Sequence, residues 1–330
     1  MNNYTPPFEI TTEMLAKVST IMEKIGQITS IGNLDRFPIL RKQNRVKSIH
    51  ASCYIEANSL SLDEVNDIIN GVNVIGPKKD ITEIKNAIAA YEKLGKFDPL
   101  VLKNLKTIHG ILGKDIIKPS GQFRPKDIGV IDEHGNVVFI APPAKQVDNL
   151  MTHLFKWTKD NYSKIHPLVL SSVFHYEFVF IHPFADGNGR MARLWQTALL
   201  GKWRPLFYYL PVENFIKNNQ QAYYKAISDS HSRGDSNIFI IFTLKMIDNA
   251  IDELIKESVL NKEESPYIKR LLSVMSSGVY YSANEILSLL GLKSKETLRK
   301  NYLNPAIKKG LVTLEFPNKR TSKNQRYKKI

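Results

Sequence analysis

The sequence predicts a mainly α fold: a helical bundle carrying one β-hairpin, followed by a small, strongly basic module. Three observations predict it. Apolar residues recur at intervals of three and four through most of the chain up to residue 260. A single β-branched run, 127–143, breaks that rhythm around a His134-Gly135-Asn136 turn and ends in a double proline, which reads as a hairpin. From Pro266 onward, fourteen basic residues face only Glu285, Glu296 and Glu315, so +11 of the net charge of +14 sits in this last stretch.

The 330 residues, 43% apolar and 24% charged, have globular composition and room for two or three domains. No run of about 18 apolar residues occurs, and MNNYTPPFEITTEM lacks a basic start and an apolar core. Neither a membrane span nor a signal peptide is expected, and a cytoplasmic location follows. The lone Cys53 excludes an internal disulfide and a multi-cysteine zinc site.

Taken in order, helices are expected at EMLAKVSTIMEKI, EIKNAIAAYEKL, PLVLKNLKTIHGIL, AKQVDNLMTHLFKW, HPLVLSSVFHYEFVFIH, RMARLWQTALLGKW and NIFIIFTLKMIDNAIDELI, all sharing one core. NKEESP, 261–266, is a polar run ending in proline and reads as a linker. Beyond it, YSANEILSLLGL and SKETLRKNYLNPAIKKGLV give two short helices, and TLEFPNKRTSKNQRYKKI a β-wing with a charged tip. The domains are therefore 1–95, an N-terminal helical region; 96–260, the central core; and 261–330, the basic module.

The chemistry concentrates in HPFADGNGRMAR, 182–193, a tight loop between an apolar helix and the start of the next. Gly187 and Gly189 permit positive φ and let consecutive backbone N–H groups converge on one point. A phosphate suits that point, because the helix N-terminus adds unpaired donors and its positive dipole end. Asn188 can donate to the same anion, and Arg190 and Arg193 lie near one face of the new helix. Asp186 offers a hard oxygen for magnesium. His182 can take a proton from an incoming hydroxyl. Taken alone, GNG is a turn and His-Pro a helix terminus, as at His166-Pro167; His109 and His175 read as core residues. The joint pattern is that of a metal–polyphosphate site with a general base.

That stretch resembles the signature of the Fic domain proteins, H-x-F-x-[DE]-G-N-G-R-x-x-R, at every fixed position, and GQFRPKDIGV is similar to the start of that family's β-hairpin flap. The resemblance covers roughly 1–260. It implies a Fic-type bundle in which the flap, about 127–143, aligns a target protein as an added strand. It further implies that His182 deprotonates a Ser, Thr or Tyr hydroxyl, which attacks the α-phosphate of ATP and leaves AMP on the protein. Asp186 would bind Mg2+. Gly187, Asn188 and Gly189 would cradle the α- and β-phosphates, Arg190 and Arg193 the rest, and Phe184 would anchor the loop.

Upstream, Ser52-x-x-x-Glu56 is similar to the family's inhibitory motif, [ST]-x-x-x-E-[GN], with Ala57 departing from it. The resemblance implies that Glu56 pairs with Arg193 and fills the γ-phosphate space. One charged hydrogen bond, worth about 1.5–3 kcal/mol, would suppress productive binding about ten- to a hundred-fold. In QQAYYKAI, Tyr223 and Tyr224 are candidates for packing near adenosine, and Tyr224 is carried forward as the ATP-binding residue. The basic module resembles a winged helix-turn-helix, with Lys295, Arg299 and Lys300 on its second helix and Lys319, Arg320 and Lys323 on the wing. Such charge is the footprint of DNA phosphate contact through 267–330, a protein partner being the alternative. Two alternatives to an autoinhibited protein adenylyltransferase stay open. One is a nucleic-acid-binding regulator using the Fic core as a ligand sensor; the other is removal of AMP from modified proteins. A homodimer is also left open.

Overall fold

Helices form where apolar residues recur at helical spacing, and a computed structural model describes them over residues 4–31, 38–131, 137–262, 265–308, 310–317, 322 and 324–330. The chain divides into two units, Met1–Ile255 and Lys256–Ile330.

In the first unit, α1 (Thr12–Ile31), α2 (Pro38–Tyr54), α3 (Leu62–Ile69), α4 (Lys78–Tyr91) and α5 (Leu102–Leu112) precede the hairpin β1 (Gly129–Ile131) and β2 (Val137–Ile140). After it come α6 (Ala144–Asn161), α7 (Pro167–Ile181), α8 (Asn188–Trp203), a 3-10 turn (Pro205–Tyr209), α9 (Val212–Asn218), α10 (Gln220–Arg233) and α11 (Asn237–Lys262), whose residues from Lys256 on belong to the second unit. One apolar core runs through them from Met14 to Leu254.

The centre of that core explains where the site lies. α7 is apolar on all sides and buried from Leu168 to Phe178, as expected of a helix with no solvent face. It starts cleanly, with Pro167 in its first turn and the His166 ring accepting the Leu168 N–H. α8 is buried from Arg190 to Gly201, and two arginines are part of that interior. The loop between them is thus held from both sides by packed helices.

The hairpin pairs Gly129 with Ile140, Val130 with Phe139 and Ile131 with Val137, with a bulge at Val130/Ile131; the predicted turn at His134-Gly135-Asn136 lies outside the described residues. Phe139 stacks on His231 of α10, with ring centroids 4.3 Å apart, and meets Phe180 of α7. Both contacts tie β2 to the bundle.

α11 runs to Lys262, into the predicted linker, because no helix breaker stands before Pro266. Proline then opens the next helix instead of closing a loop. In the second unit, Ser265 caps α12 (Pro266–Val274), β3 (Tyr280–Ser282) leads into α13 (Ala283–Leu290), and residues 295–308 form a helical stretch with a π-type segment at Leu298–Leu303. β4 (Val312–Leu314) and β5 (Arg326–Lys329) complete an antiparallel sheet of order β3-β5-β4. Its own core includes Ile268, Leu271, Ile286, Leu298, Leu303 and Tyr327. Lys295, Arg299 and Lys300 are exposed; Lys319, Arg320 and Lys323 lie outside the described residues. No helix among the described residues is long and apolar enough to cross a membrane.

Candidate active site

α7 stops at Ile181 because His182 takes a left-handed conformation, φ 51° and ψ 59°, which no helix continues. Its ring folds back so that Nδ1 meets the Val179 carbonyl at 3.2 Å. A carbonyl only accepts, so Nδ1 carries the proton and Nε2 keeps its lone pair. Burial lowers the His182 pKa below the ordinary imidazole value, and the nearby Arg124 charge works the same way against the Val179 bond. A neutral ring at pH 7 is the consequence.

Gly187 caps α8 at φ 79° with no side-chain cap, leaving the first N–H groups of the helix without intrahelical partners. An anion is what such a terminus attracts. A carboxylate already rests there: a Cβ added to Gly189 would lie 2.3 Å from Glu56 Oε1. Arg193, its side chain 1% exposed, donates from Nη2 to the same oxygen at 2.8 Å. It also donates from Nη2 to the Ser52 carbonyl at 2.8 Å and from Nε to Ser52 Oγ at 3.2 Å. Its Nη1 is buried with no hydrogen-bond partner among the described residues. Burial is the largest influence and opposes the Arg193 charge, but Glu56, Tyr223 and Tyr91 together more than offset it, so the guanidinium stays protonated.

Two of the predicted phosphate ligands point elsewhere. The Asn188 side chain is spent on Phe184, accepting its N–H at 2.9 Å and donating to its carbonyl at 2.8 Å. It staples the loop, which leaves its backbone N–H, in the first turn of α8, as the group Asn188 can offer an anion. Arg190 pairs with Glu83 of α4 at 3.1 Å, both side chains buried. Asn58 in turn donates to Glu83 at 2.9 Å. A neutralised, buried guanidinium supports the loop from below.

Asp186 keeps its side chain 58% exposed, 3.6 Å from Arg190. Its carbonyl is held by His109 Nε2 at 3.0 Å, while His109 Nδ1 accepts the Gly121 N–H. His109 also stacks on Phe184 at 3.6 Å, so this core residue orients the loop. Magnesium needs only one or two protein carboxylates when phosphates complete its shell. Asp186 fits that role, and no cluster of three or more His, Cys, Asp or Glu offers a fuller metal site among the described residues.

Glu56 stands just past the end of α2, which closes at Tyr54. The Asn58 N–H bonds the Cys53 carbonyl and the Ala57 N–H bonds that of Tyr54, which is a Schellman closure with Ala57 in the left-handed position, φ 64°. That conformation costs a residue with a Cβ about 1–2 kcal/mol. Ala57→Gly should therefore raise the unfolding free energy by about 0.5–1 kcal/mol, net of the looser unfolded glycine. Urea denaturation checks it; an unchanged midpoint would deny the strain. α2 is fixed further by Ser48, which donates to the buried Glu213 at 2.8 Å alongside Tyr91 and Thr197. Tyr224, 49% exposed, and Gln220 both donate to the Ile55 carbonyl at 3.3 Å. Tyr223 is buried and bonds His175.

Sequence alone assigns no site role to Glu83, Asn58 or Glu213, none to Arg124 within GQFRPKDIGV, and only a core role to His109; each has a partner distant in the chain, which spacing does not reveal.

Residues 99–200 match the model of the Fic/DOC family, and residues 266–329 match that of the C-terminal domain of the filamentation induced by cAMP protein Fic-like. The chain is 26% identical over 264 residues to the protein adenylyltransferase Fic of Nematostella vectensis, covering 76% of this chain and 58% of that protein. It is 28% identical over 220 residues to the protein of the same name from Aedes aegypti, covering 64% and 42%. The chain thus spans about half the length of these curated relatives. Among solved structures, a Fic family protein from Desulfovibrio desulfuricans G20 superposes with a TM-score of 0.75 at 37% identity, covering 99% of this chain and 98% of that one.

Proposed function

The chain belongs to the Fic family, and on that premise we propose that it is a protein adenylyltransferase held inactive by Glu56. The observation that carries this reading is the joint placement of a neutral His182, the open N-terminus of α8 and Arg193, with a carboxylate lying where phosphate would bind.

The α8 N–H groups and Arg193 hold the triphosphate, and Asp186 would hold Mg2+, which would neutralise phosphate charge. A Ser, Thr or Tyr hydroxyl of a target segment lying along 127–143 gives its proton to His182 Nε2. The oxygen forms a bond to the α-phosphorus, the bond to the β-phosphate oxygen breaks, and pyrophosphate leaves. Glu56 blocks this by occupying the anion position and consuming Arg193. Tyr224 stands beside the lock, where adenosine would pack.

Incubation of the Glu56→Gly protein with labelled ATP and magnesium tests the reading. Label on the protein supports it. Release of AMP from a modified protein instead would move the assignment to the reverse reaction, and neither would leave a sensor.

For the second unit we propose duplex DNA as partner, in a winged-helix arrangement. The support is the exposed Lys295, Arg299 and Lys300 on one helical stretch within a segment carrying +11. Affinity, read by fluorescence anisotropy, should fall with salt at a slope of about −0.9 per neutralised phosphate. Reversing these three residues to Glu should remove binding while leaving transfer intact. Salt-independent binding, or none, would point to a protein partner.

A further inference from the structure

We infer that Arg124 is a positioning residue that fixes the spacing between His182 and the β-hairpin; this rests on the function proposed above. Arg124 lies just before the hairpin and is 3% exposed. Its Nε donates to the His182 carbonyl at 2.8 Å and its Nη2 to the Ile181 carbonyl at 3.4 Å. Its Nη1 donates to the Lys126 carbonyl at 2.9 Å, and its Nη2 also to that of Pro142. The backbone N–H of Arg124 bonds the Pro183 carbonyl at 2.9 Å.

These acceptors form two groups. Ile181 is the last residue of α7, at the negative end of its dipole, which welcomes a buried cation, and His182 is the left-handed residue directly after it. Lys126 and Pro142 are the two feet of the hairpin, one before β1 and the other after β2. A single planar fork therefore clamps the turn that presents the base to the strands along which the target would lie. Lysine, with one nitrogen, cannot span both groups. Asp127 adds a brace on the same feet by accepting the Ala144 N–H at the start of α6.

The reaction needs this clamp because the hairpin positions the target segment that carries the hydroxyl, while His182 takes the hydroxyl's proton. Misplacing one against the other by about 1 Å can cost about 10²-fold in rate. ATP is held by different groups, so its binding does not depend on Arg124.

The test uses the full chain carrying Glu56→Gly, with labelled ATP and self-modification as readout. Arg124→Ala should lower kcat by about 10- to 10²-fold and leave KM for ATP and ATP-binding stoichiometry unchanged. Arg124→Lys should recover part of the loss. A residue that only packs the fold would instead lower the fraction of protein able to bind ATP and leave turnover per bound ATP as it was. Parent-like turnover in Arg124→Ala overturns the inference. So does loss of ATP binding in both variants, which would make Arg124 a stabiliser of the fold. His182→Ala is run beside them: if it retains transfer, the failure belongs to the proposed reaction, and the inference falls with it.

Discussion

His182→Ala, made in the Glu56→Gly protein, is expected to lose AMP transfer by about 10²–10⁴-fold, the usual contribution of a general base, while ATP still binds. The two halves separate because the residues involved do. The His182 ring hangs from the end of α7 and is oriented by the Val179 carbonyl, whereas the phosphate position belongs to the first turn of α8 and to Arg193. Removing the imidazole leaves the second set untouched. Label incorporation measures transfer and nucleotide titration measures binding; incorporation equal to the parent's would take the histidine out of the mechanism.

The same ring sets the acid limb of the rate profile. Burial lowers its pKa, and the neutral form is the active one. Activity should therefore persist on acidification to below the ordinary imidazole value of about 6.5 before it falls. A limb centred above that value would mean that another group titrates.

How far the sequence reached can be seen in particular residues. The helices at 144–157, 166–182 and 190–203 were legible because their apolar spacing or all-round apolarity leaves one way to bury them, and the structure has helices there. α2 was only partly legible. Its buried residues Leu40, Val46, Ile49 and Cys53 are interrupted by the polar run RKQNR, so no clear stripe emerges. In the site, residue type was easier to read than partnership. Asn188 and Arg190 stand in a phosphate-binding pattern, yet the first satisfies Phe184 four residues back and the second finds Glu83 on α4. Spacing along the chain encodes the first kind of pairing weakly and the second not at all. Ala57 shows the reverse. An alanine where glycine is usual signals backbone fit, and the positive φ there gives that signal its physical cost.

Glu56→Gly should raise self-modification by about 10²-fold, and the reason lies in two effects of one carboxylate. The first is occupancy. Glu56 Oε1 rests on Gly189 at the start of α8, the place where the helix N-terminus would attract phosphate. The second is charge: Arg193 is buried and donates to that oxygen at 2.8 Å, so its capacity to bind an incoming anion is already used. Each effect is on the scale of a charged hydrogen bond, about 1.5–3 kcal/mol, and about 1.4 kcal/mol is a factor of ten. Two such terms sum to about 3 kcal/mol at their low end, which is about 10²-fold. The two bonds from Arg193 to Ser52 survive the substitution and keep the guanidinium aimed at the site. Arg193→Ala in the same background should erase the gain, because the arginine is its proposed beneficiary. ATP affinity alone is a poor readout, since a nucleotide can occupy the locked protein with its phosphates misdirected. Transfer decides: if Glu56→Gly is no more active than the parent while His182 remains essential, the carboxylate at Gly189 caps a helix and does not control the enzyme.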